Sequence, residues 1–299
     1  MKTAIFYEKT ERKTSESLVN IIDSHQCALF SCEVTTVLDA KVCADPSTLL
    51  QDVTHMVFVF AETTLTCAPV FLFLLGIGIG KKLPLLIIQH GNKLQLPDNC
   101  KRFAVILTAD KFENYFVAEQ NRFFEIEQKQ GARSKLMSNG FPCFESNFIA
   151  AVEEGKCDIV QLFLDAGFNS SLRDKRGTPL LSLAVRNSHY DVALLLISHG
   201  AGINLCAEDR SYSALMDAAQ LGDLKTAELL LSKNADTNIR SKDGQTALIF
   251  AVGRQDIPMV KLLIEHHADW TIADNLGMSA LGYAKLFNNK NILACMQAP

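Results

Sequence analysis

Two acidic residues follow predicted β-strands, at positions where a carboxylate could take part in chemistry. Glu62 follows the apolar stretch 56–61, and Glu33 follows the stretch 28–32. A carboxylate at a strand end can act as a nucleophile or stabilise positive charge in a reacting group. Glu62 also has a simpler interpretation, as a solvent-exposed loop residue or a cap for the helix that follows. We therefore assign no catalytic residue and keep Glu62 as the alternative.

A cysteine also lies at a predicted strand end. Thiolate chemistry at Cys32 would need a nearby histidine, and we consider His55 and His90 for that role. The sequence does not indicate whether either ring lies near the sulfur. The simpler interpretation is that Cys32 is a small buried apolar residue.

Four histidines in the C-terminal half lie near predicted helix ends: His189, His199, His266 and His267. No cysteine or carboxylate joins them at the spacing of metal ligands, so we expect neither a metal site nor a cofactor. Histidines at helix C-termini compensate the helix dipole and cap carbonyl groups. We therefore predict that these residues are caps.

Three alternating glycines, Gly76, Gly78 and Gly80, are similar to a phosphate-binding loop. Such a loop follows a strand and opens a helix, so that amides at the helix start face the phosphates. Here the glycines close a predicted helix and precede a strand. We predict tight helix–sheet packing and a helix C-cap instead.

Composition limits the classes of partner. The 299 residues include 29 basic and 33 acidic side chains, and the formal net charge is -4. Such a balance argues against a chain built to bind nucleic-acid phosphates or anionic lipid. We expect no nucleic-acid partner.

The nine cysteines and the hydropathy pattern bear on location. The cysteines are scattered and odd in number, which favours reduced thiols, and the N-terminus lacks a secretory signal. The apolar stretch 68–88 is broken by Lys81, Lys82 and Pro84, and its two pieces are too short to span a bilayer. We predict a cytoplasmic protein without a membrane span.

The N-terminal half alternates predicted strands and helices. Strands are predicted at 4–7, 28–32, 56–61, 83–89 and 103–107, and helices at 15–25, 66–80 and from 110 to about 137. This order predicts a small, mostly parallel five-stranded sheet of flavodoxin or Rossmann-like type, with helices on both faces. We expect the sheet domain to cover 1–109, a linking helix 110–143, and a second domain 144–299.

The stretch VFVFAE, a helix, and then Lys, Pro and LLII carry a resemblance over about 100 residues. They resemble the Toll/interleukin-receptor-like and nucleoside deoxyribosyltransferase group of small α/β domains. Members that cleave N-glycosidic bonds carry a glutamate in the helix corresponding to 66–80, and this helix has none. The resemblance implies a nucleotide or nucleoside ligand, and Glu62 is the nearest carboxylate for a nucleoside or NAD N-glycosidase.

The C-terminal half is repetitive. Leu215, Leu248 and Leu281 are spaced by 33 residues, and pairs of small residues recur with the same period. About five units fit between 145 and 297, each with two short helices and a polar loop. One helix pair cannot cover its own leucines, so stacked neighbours must form one continuous core.

These units are similar to the ankyrin repeat family, through GTPL at 177–180, LLLISHGAGIN at 194–204 and their counterparts. The second unit carries an extra residue between Pro179 and Ala184. The resemblance implies an all-α solenoid that binds a protein partner through its hairpin tips and the exposed faces of its first helices.

We therefore predict an interaction protein whose repeats bind a protein partner beside a non-catalytic α/β module. Basic residues at the tips favour a partner with an acidic segment. Phe250 and Tyr283 are predicted to form an aromatic strip, unless both rings pack between helices. The predicted partner-binding residues are Lys175, Arg176, Arg210, Tyr212, Asp217, Gln220, Arg240, Lys242, Phe250, Arg254 and Tyr283.

Overall fold

The computed structural model describes residues 1–8, 11–24, 28–34, 52–60, 69–89 and 104–296. The chain divides into two compact units, residues 1–127 and 128–299. Two candidate residues of the first unit, Glu62 and His90, lie outside the described residues.

The first unit alternates strand and helix, as predicted. Its apolar stretches form strands because a parallel sheet covered on both faces favours apolar residues at successive positions of its inner strands. The elements are β1 (Lys2–Glu8), α1 (Arg12–Ser24), β2 (Ala28–Val34), β3 (His55–Phe60), α2 (Pro69–Gly80), β4 (Leu85–Gln89), β5 (Ala104–Leu107) and α3 (Ala109–Ser138), whose C-terminal part lies in the second unit.

The strands pair in the order β2-β1-β3-β4-β5, and each described pair is parallel. Successive residues of β3 enter opposite cores: Val57 packs with residues of α1 and α3, and Met56 packs with Leu74 of α2. Helices therefore cover both faces of the sheet. The predicted parallel sheet is confirmed.

Gly78 lets α2 approach the sheet closely. A Cβ atom there would lie 2.5 Å from Leu85 Cδ2 and 2.9 Å from Met56 Sδ. The predicted helix–sheet packing role is therefore confirmed. The helix is capped beyond the glycines, since Lys82 has φ 55° and the Leu83 amide donates to the Gly78 carbonyl at 2.9 Å. No helix in the described part of the chain is long and apolar enough to cross a membrane.

The second unit contains five helix pairs, which we number as repeats. In repeats 2 to 5 the alanine five positions after the N-cap residue of the first helix is buried, so that neighbouring helices approach closely. The helices are Glu145–Glu153 and Cys157–Asp165 (repeat 1), Leu180–Arg186 and Tyr190–Ser198 (repeat 2), Ala214–Leu221 and Leu224–Ser232 (repeat 3), Ala247–Gly253 and Ile257–Glu265 (repeat 4), and Ala280–Leu286 and Lys290–Cys295 (repeat 5).

One hydrophobic core runs through all five repeats. It extends from Ala132 and Leu136 of α3 through Leu215 and Leu248 to Ile292 in the last helix. The predicted continuous core is therefore confirmed, with neighbouring repeats covering each other's leucines.

The extra residue lies in a hairpin, and its predicted position in the helix of repeat 2 is wrong. Isolated bridges pair Arg173 with Pro179 and Cys206 with Ser213, so Pro179 and Ser213 occupy equivalent N-cap positions. The hairpin before repeat 3 closes with the Ala207 amide on the Tyr212 carbonyl, one residue longer than the corresponding hairpin closed by Asp174 and Thr178. A hairpin tip accommodates an insertion more easily than a packed helix.

Candidate partner-binding groove

The hairpin before repeat 2 presents two cations to solvent. The Asp174 carboxylate accepts hydrogen bonds from the amides of Arg176 and Thr178, both at 2.8 Å, and Gly177 completes the turn with φ +76°. Lys175 and Arg176 are exposed at the tip. The hairpin before repeat 3 is similar, because Asp209 Oδ1 accepts from the Arg210 amide at 2.7 Å. In both hairpins the carboxylate accepts hydrogen bonds from backbone amides, while the basic side chain is exposed to solvent.

Other basic residues join neighbouring hairpins. Arg173 Nη1 donates to the carbonyls of Gly177 at 2.6 Å and Cys206 at 2.7 Å. Arg240, its counterpart two repeats later, donates to the Ala273 carbonyl at 3.0 Å. Sequence reasoning passed over Arg173 and named Arg240 as a partner contact. The sequence does contain a signal for this shared role, because Arg173 and Arg240 each follow an apolar residue, Leu172 or Ile239, at the same position of their repeats.

Two further residues that were predicted to contact a partner donate hydrogen bonds to the backbone of the neighbouring repeat. Lys242 Nζ donates to the Glu208 carbonyl at 2.7 Å. Arg254 Nη1 donates to the Gln220 carbonyl at 3.0 Å, and Gln220 itself is exposed. These side chains hold adjacent repeats together, which leaves fewer free cations than the sequence indicated.

The first helices form the floor between the hairpins. The fourth residue after each N-cap residue occupies an equivalent floor position. In repeats 2 to 5 these residues are Leu183, Asp217, Phe250 and Tyr283. Their chemistry changes from aliphatic to acidic to aromatic along the stack.

Asp217 is the buried ionisable group of this floor. Its residue is 4% exposed, and Oδ1 lies 3.0 Å from Arg186 Nε. Its other carboxylate oxygen, Oδ2, and the Ser182 hydroxyl are buried without a hydrogen bond of good geometry. Burial raises the pKa of Asp217 to about 6, against the lowering effect of the Arg186 guanidinium.

The aromatic residues pair differently from the predicted strip. Tyr212 is 6% exposed rather than at an open tip, and its ring meets Phe250 edge-on at 5.1 Å between centroids. Tyr283 stacks on Phe287 at 6.2 Å and donates from its hydroxyl to Asp274 Oδ2 at 2.7 Å. Phe250 and Tyr283 are each half-buried.

Two concave pockets lie between hairpins and first helices. One of about 620 Å³ is lined by Lys175, Arg176, Arg186 and residues of repeat 1, including Glu153. The other, of about 310 Å³, is lined by Arg176, Arg186, Arg210, Asp217 and Leu221. Both pockets include Asp209, whose carboxylate is bonded to its own turn. The cations Lys175, Arg176, Arg186 and Arg210, here called the basic patch, thus line adjoining pockets.

A third concave region lies on the second-helix side of repeats 4 and 5. It has a volume of about 830 Å³ and is lined by Lys261, Ile264, Trp270 and Cys295, among others. This region shares no lining residue with the two pockets of the basic patch. Its lysine therefore provides a matched control for charge reversal.

Of the two histidines considered as partners for Cys32, His90 lies outside the described residues and His55 lies away from the cysteine along the sheet. Thr3 pairs with His55 and Phe6 pairs with Cys32, so the histidine and cysteine lie three residues apart along the strands, about 10 Å. His55 is buried instead beside Glu119, with Nε2 3.6 Å from Oε1. Burial lowers the pKa of His55 against the opposing effect of Glu119.

The predicted histidine caps divide into two kinds. His199 is the C-cap residue of its helix, with Nδ1 3.0 Å from the Leu195 carbonyl, and His266 is a C-cap residue too. His189 is the N-cap residue of the helix that follows it and, as predicted, caps a carbonyl at a helix end. Its Nε2 lies 3.0 Å from the Glu153 carbonyl, at the end of the preceding repeat's first helix. Among the described residues, no three histidine, cysteine or acidic side chains form a potential metal site.

Comparisons with known proteins agree with this geometry. A family model for ankyrin repeats matches residues 148–241 and 215–296. An ankyrin repeat-containing protein of Treponema pallidum (strain Nichols) is 40% identical over 293 residues, which are 98% of this chain and 98% of the relative. Partial similarity is found in other proteins. An ankyrin repeat protein of fowlpox virus (strain NVSL) is 32% identical over 160 residues, 50% of this chain and 46% of the viral protein.

Neurogenic locus notch homolog protein 1 of Danio rerio is 32% identical over 142 residues, 46% of this chain and 6% of that protein. The viral and notch similarities cover half of the chain or less, whereas the bacterial relative matches it nearly end to end. With the repeated helix pairs and hairpins described above, these matches show that the chain belongs to the ankyrin repeat family.

Proposed function

We propose that this protein binds an acidic segment of a protein partner through the basic patch of repeats 2 and 3. One observation carries the proposal: the basic side chains at these hairpin tips are exposed, while the neighbouring acids are hydrogen-bonded to backbone amides. Asp174 and Asp209 are bonded to backbone amides of their own turns, while the Lys175 and Arg176 side chains are exposed. At Lys175 and Arg176 an acidic segment would therefore meet exposed cations, whereas Arg186 already pairs with Asp217.

Arg186 and Arg210 extend the patch from the hairpin tips to the groove. Arg210 lies over the Tyr212 ring, with its guanidinium carbon 5.9 Å from the ring centroid, and Arg186 is held at the floor by Asp217. Both arginines therefore start from restricted positions, which lowers the entropy lost when a carboxylate binds. Guanidinium groups also suit carboxylates because they can donate two parallel hydrogen bonds.

A peptide-display selection on the full-length protein tests this function. We expect the selected peptides to be enriched in Asp and Glu. The variant Lys175→Glu/Arg176→Glu/Arg210→Glu should lose these peptides. The control Lys233→Glu/Lys261→Glu/Lys290→Glu, which carries the same change in charge on the second-helix side, should keep them. Selection of uncharged or basic peptides, or equal loss in both variants, would contradict the proposal.

For the first unit we propose a flavodoxin-like α/β module without catalytic activity. The strand order β2-β1-β3-β4-β5 supports that fold type. The absence of a glutamate from the sequence of α2 supports the lack of N-glycosidase activity. Incubation of the full-length protein with nicotinamide dinucleotide and nucleosides should release no free base. Release that is lost in Glu62→Gln would show an enzyme instead.

We also propose that the protein is cytoplasmic. The cysteines described in the second unit, at positions 143, 157, 206 and 295, are unpaired, which suits a reducing compartment. Thiol labelling of the protein inside intact cells should modify these residues without prior reduction. Labelling only after reduction would contradict this location.

A further inference from the structure

Apolar side chains are exposed at the end of the groove farthest from repeat 1. In repeat 5, Leu286 is 68% exposed and Phe287 is 41% exposed, and Leu276 at the tip of the adjoining hairpin is 84% exposed. Scattered exposed leucines are ordinary in a protein surface. These are not scattered, because Leu286 and Phe287 follow Tyr283 by three and four residues and share its side of the helix.

Asp274 connects the hairpin and the helix of this surface. Its Oδ1 accepts a hydrogen bond from the Leu276 amide at 2.9 Å, and its Oδ2 accepts from the Tyr283 hydroxyl at 2.7 Å. The hairpin is therefore fixed beside the first helix. We call Leu276, Tyr283, Leu286 and Phe287 the apolar end.

The groove continues from the basic patch to the apolar end through repeats 3 and 4. Leu221, which lines the 310 Å³ pocket with Arg186 and Arg210, is itself 43% exposed. Leu221 and Phe287 occupy equivalent positions, because each lies eight residues after the N-cap residue of its helix. Phe250 occupies the floor between them. Basic side chains thus give way to apolar ones along one continuous surface.

We propose that the partner segment carries acidic residues for the basic patch and bulky apolar residues for the apolar end. The inference rests on the function proposed above and adds the second half of the recognised sequence. The basic patch identifies the occupant by charge complementarity, and the continuity of the groove gives the same segment access to the apolar end. Large exposed apolar patches with polar borders are typical of protein-binding surfaces.

The repeat geometry sets the spacing of the two sequence features. Packed helices lie about 8–10 Å apart, so the two to three repeats between the patches span roughly 16–30 Å. An extended chain rises about 3.3 Å per residue. The acidic and apolar residues should therefore be separated by about five to nine positions in an extended segment.

Fluorescence anisotropy with designed peptides tests the inference on the full-length protein. The probes are labelled peptides with a triplet of acidic residues and a Leu-Phe pair, separated by seven or by one Ser/Gly residue and made in both orders, and a peptide with the acidic triplet alone. We expect one order of the seven-residue peptide to bind at least about tenfold more tightly than the other probes.

Leu276→Ser/Leu286→Ser is the matched variant, because both leucines are largely exposed and their replacement should leave the thermal midpoint unchanged. It should remove the tenfold advantage and leave binding of the acid-only peptide intact. If the advantage survives in this variant, the inference is wrong while the proposed function stands. If no acidic peptide binds the wild-type protein, both fail. A wild-type dimer that the variant converts to a monomer would assign the apolar end to a second copy and overturn the inference.

Discussion

Asp217 is a deeply buried acid whose pKa lies well above its ordinary value. It is 4% exposed on the floor of the groove, and burial raises its pKa to about 6. A raised carboxyl pKa means that the folded state binds the proton more tightly than the unfolded chain does. The free energy of unfolding should therefore fall as the pH rises from about 4 to about 6. The stability cost of this charge is present in full above that range.

Replacing Asp217 by a neutral isostere should remove this pH dependence. We expect Asp217→Asn to raise the free energy of unfolding at pH 7.5 by on the order of 1–3 kcal/mol, since about 1.4 kcal/mol corresponds to one pKa unit. At pH 4.0 the variant and the wild type should be nearly equal. Urea unfolding at both pH values measures the difference. A variant less stable than the wild type at pH 7.5 would show that the Arg186 ion pair outweighs desolvation.

Residue roles were the hardest feature to predict from sequence. Tyr212 and Arg240 belong to hairpins that the sequence identified, yet Tyr212 is buried against Phe250 and Arg240 is bonded to the Ala273 carbonyl. Tyr212 directly precedes the N-cap residue Ser213, and Arg240 makes the bridge that Arg173 makes in its own hairpin, so both lie at the base of a hairpin and not at its tip. The exposure of Lys175 and Arg176 could be predicted because both directly precede the turn glycine, Gly177.

At the scale of elements, the hairpins depend on arginines that bridge neighbouring repeats. Arg173 donates to Gly177 within its own hairpin and to Cys206 in the next, and Arg240 repeats the arrangement with Gly244 and Ala273. Each guanidinium satisfies carbonyl groups of two loops. The hairpins that carry the basic patch are therefore fixed by contacts outside it.

Loss of such a bridge should weaken the repeats. We expect Arg173→Ala to lower the free energy of unfolding by about 1–3 kcal/mol, because two carbonyls lose a charged donor. The exposed neighbour Arg176→Ala, which removes the same type of side chain, should change it by less than about 0.5 kcal/mol. Equilibrium urea denaturation of both variants provides the comparison. Equal effects of the two substitutions would show that the bridge contributes nothing.

Elements were predicted more successfully than residue roles because their signals are distributed over many positions. The leucines spaced by 33 residues predicted the stack, and the apolar stretches predicted strands such as His55–Phe60. Cys32 and His55 show the limit. Their strands were recognised, but only the parallel register places them about 10 Å apart along the strand direction.

At the scale of the whole molecule, two compact units of different architecture share one chain. The similarity to the notch protein of Danio rerio covers 46% of the chain. The similarity to the Treponema pallidum protein covers 98% of the chain and therefore includes the sheet unit as well. Membership of the repeat family explains why the helix pairs stack, because stacking requires only the periodic helix and turn signals. The periodic pattern does not identify the partner, since the choice of partner depends on the side chains that differ between repeats.

The central claim is that the basic patch recognises acidic residues of a protein partner. The most direct measurement is the dissociation constant of a display-selected acidic peptide for the full-length protein and for Lys175→Glu/Arg176→Glu/Arg210→Glu. We predict that affinity falls by at least about thirtyfold in this variant and changes less than about threefold in Lys233→Glu/Lys261→Glu/Lys290→Glu. Equal affinities for the wild type and the patch variant would contradict the claim.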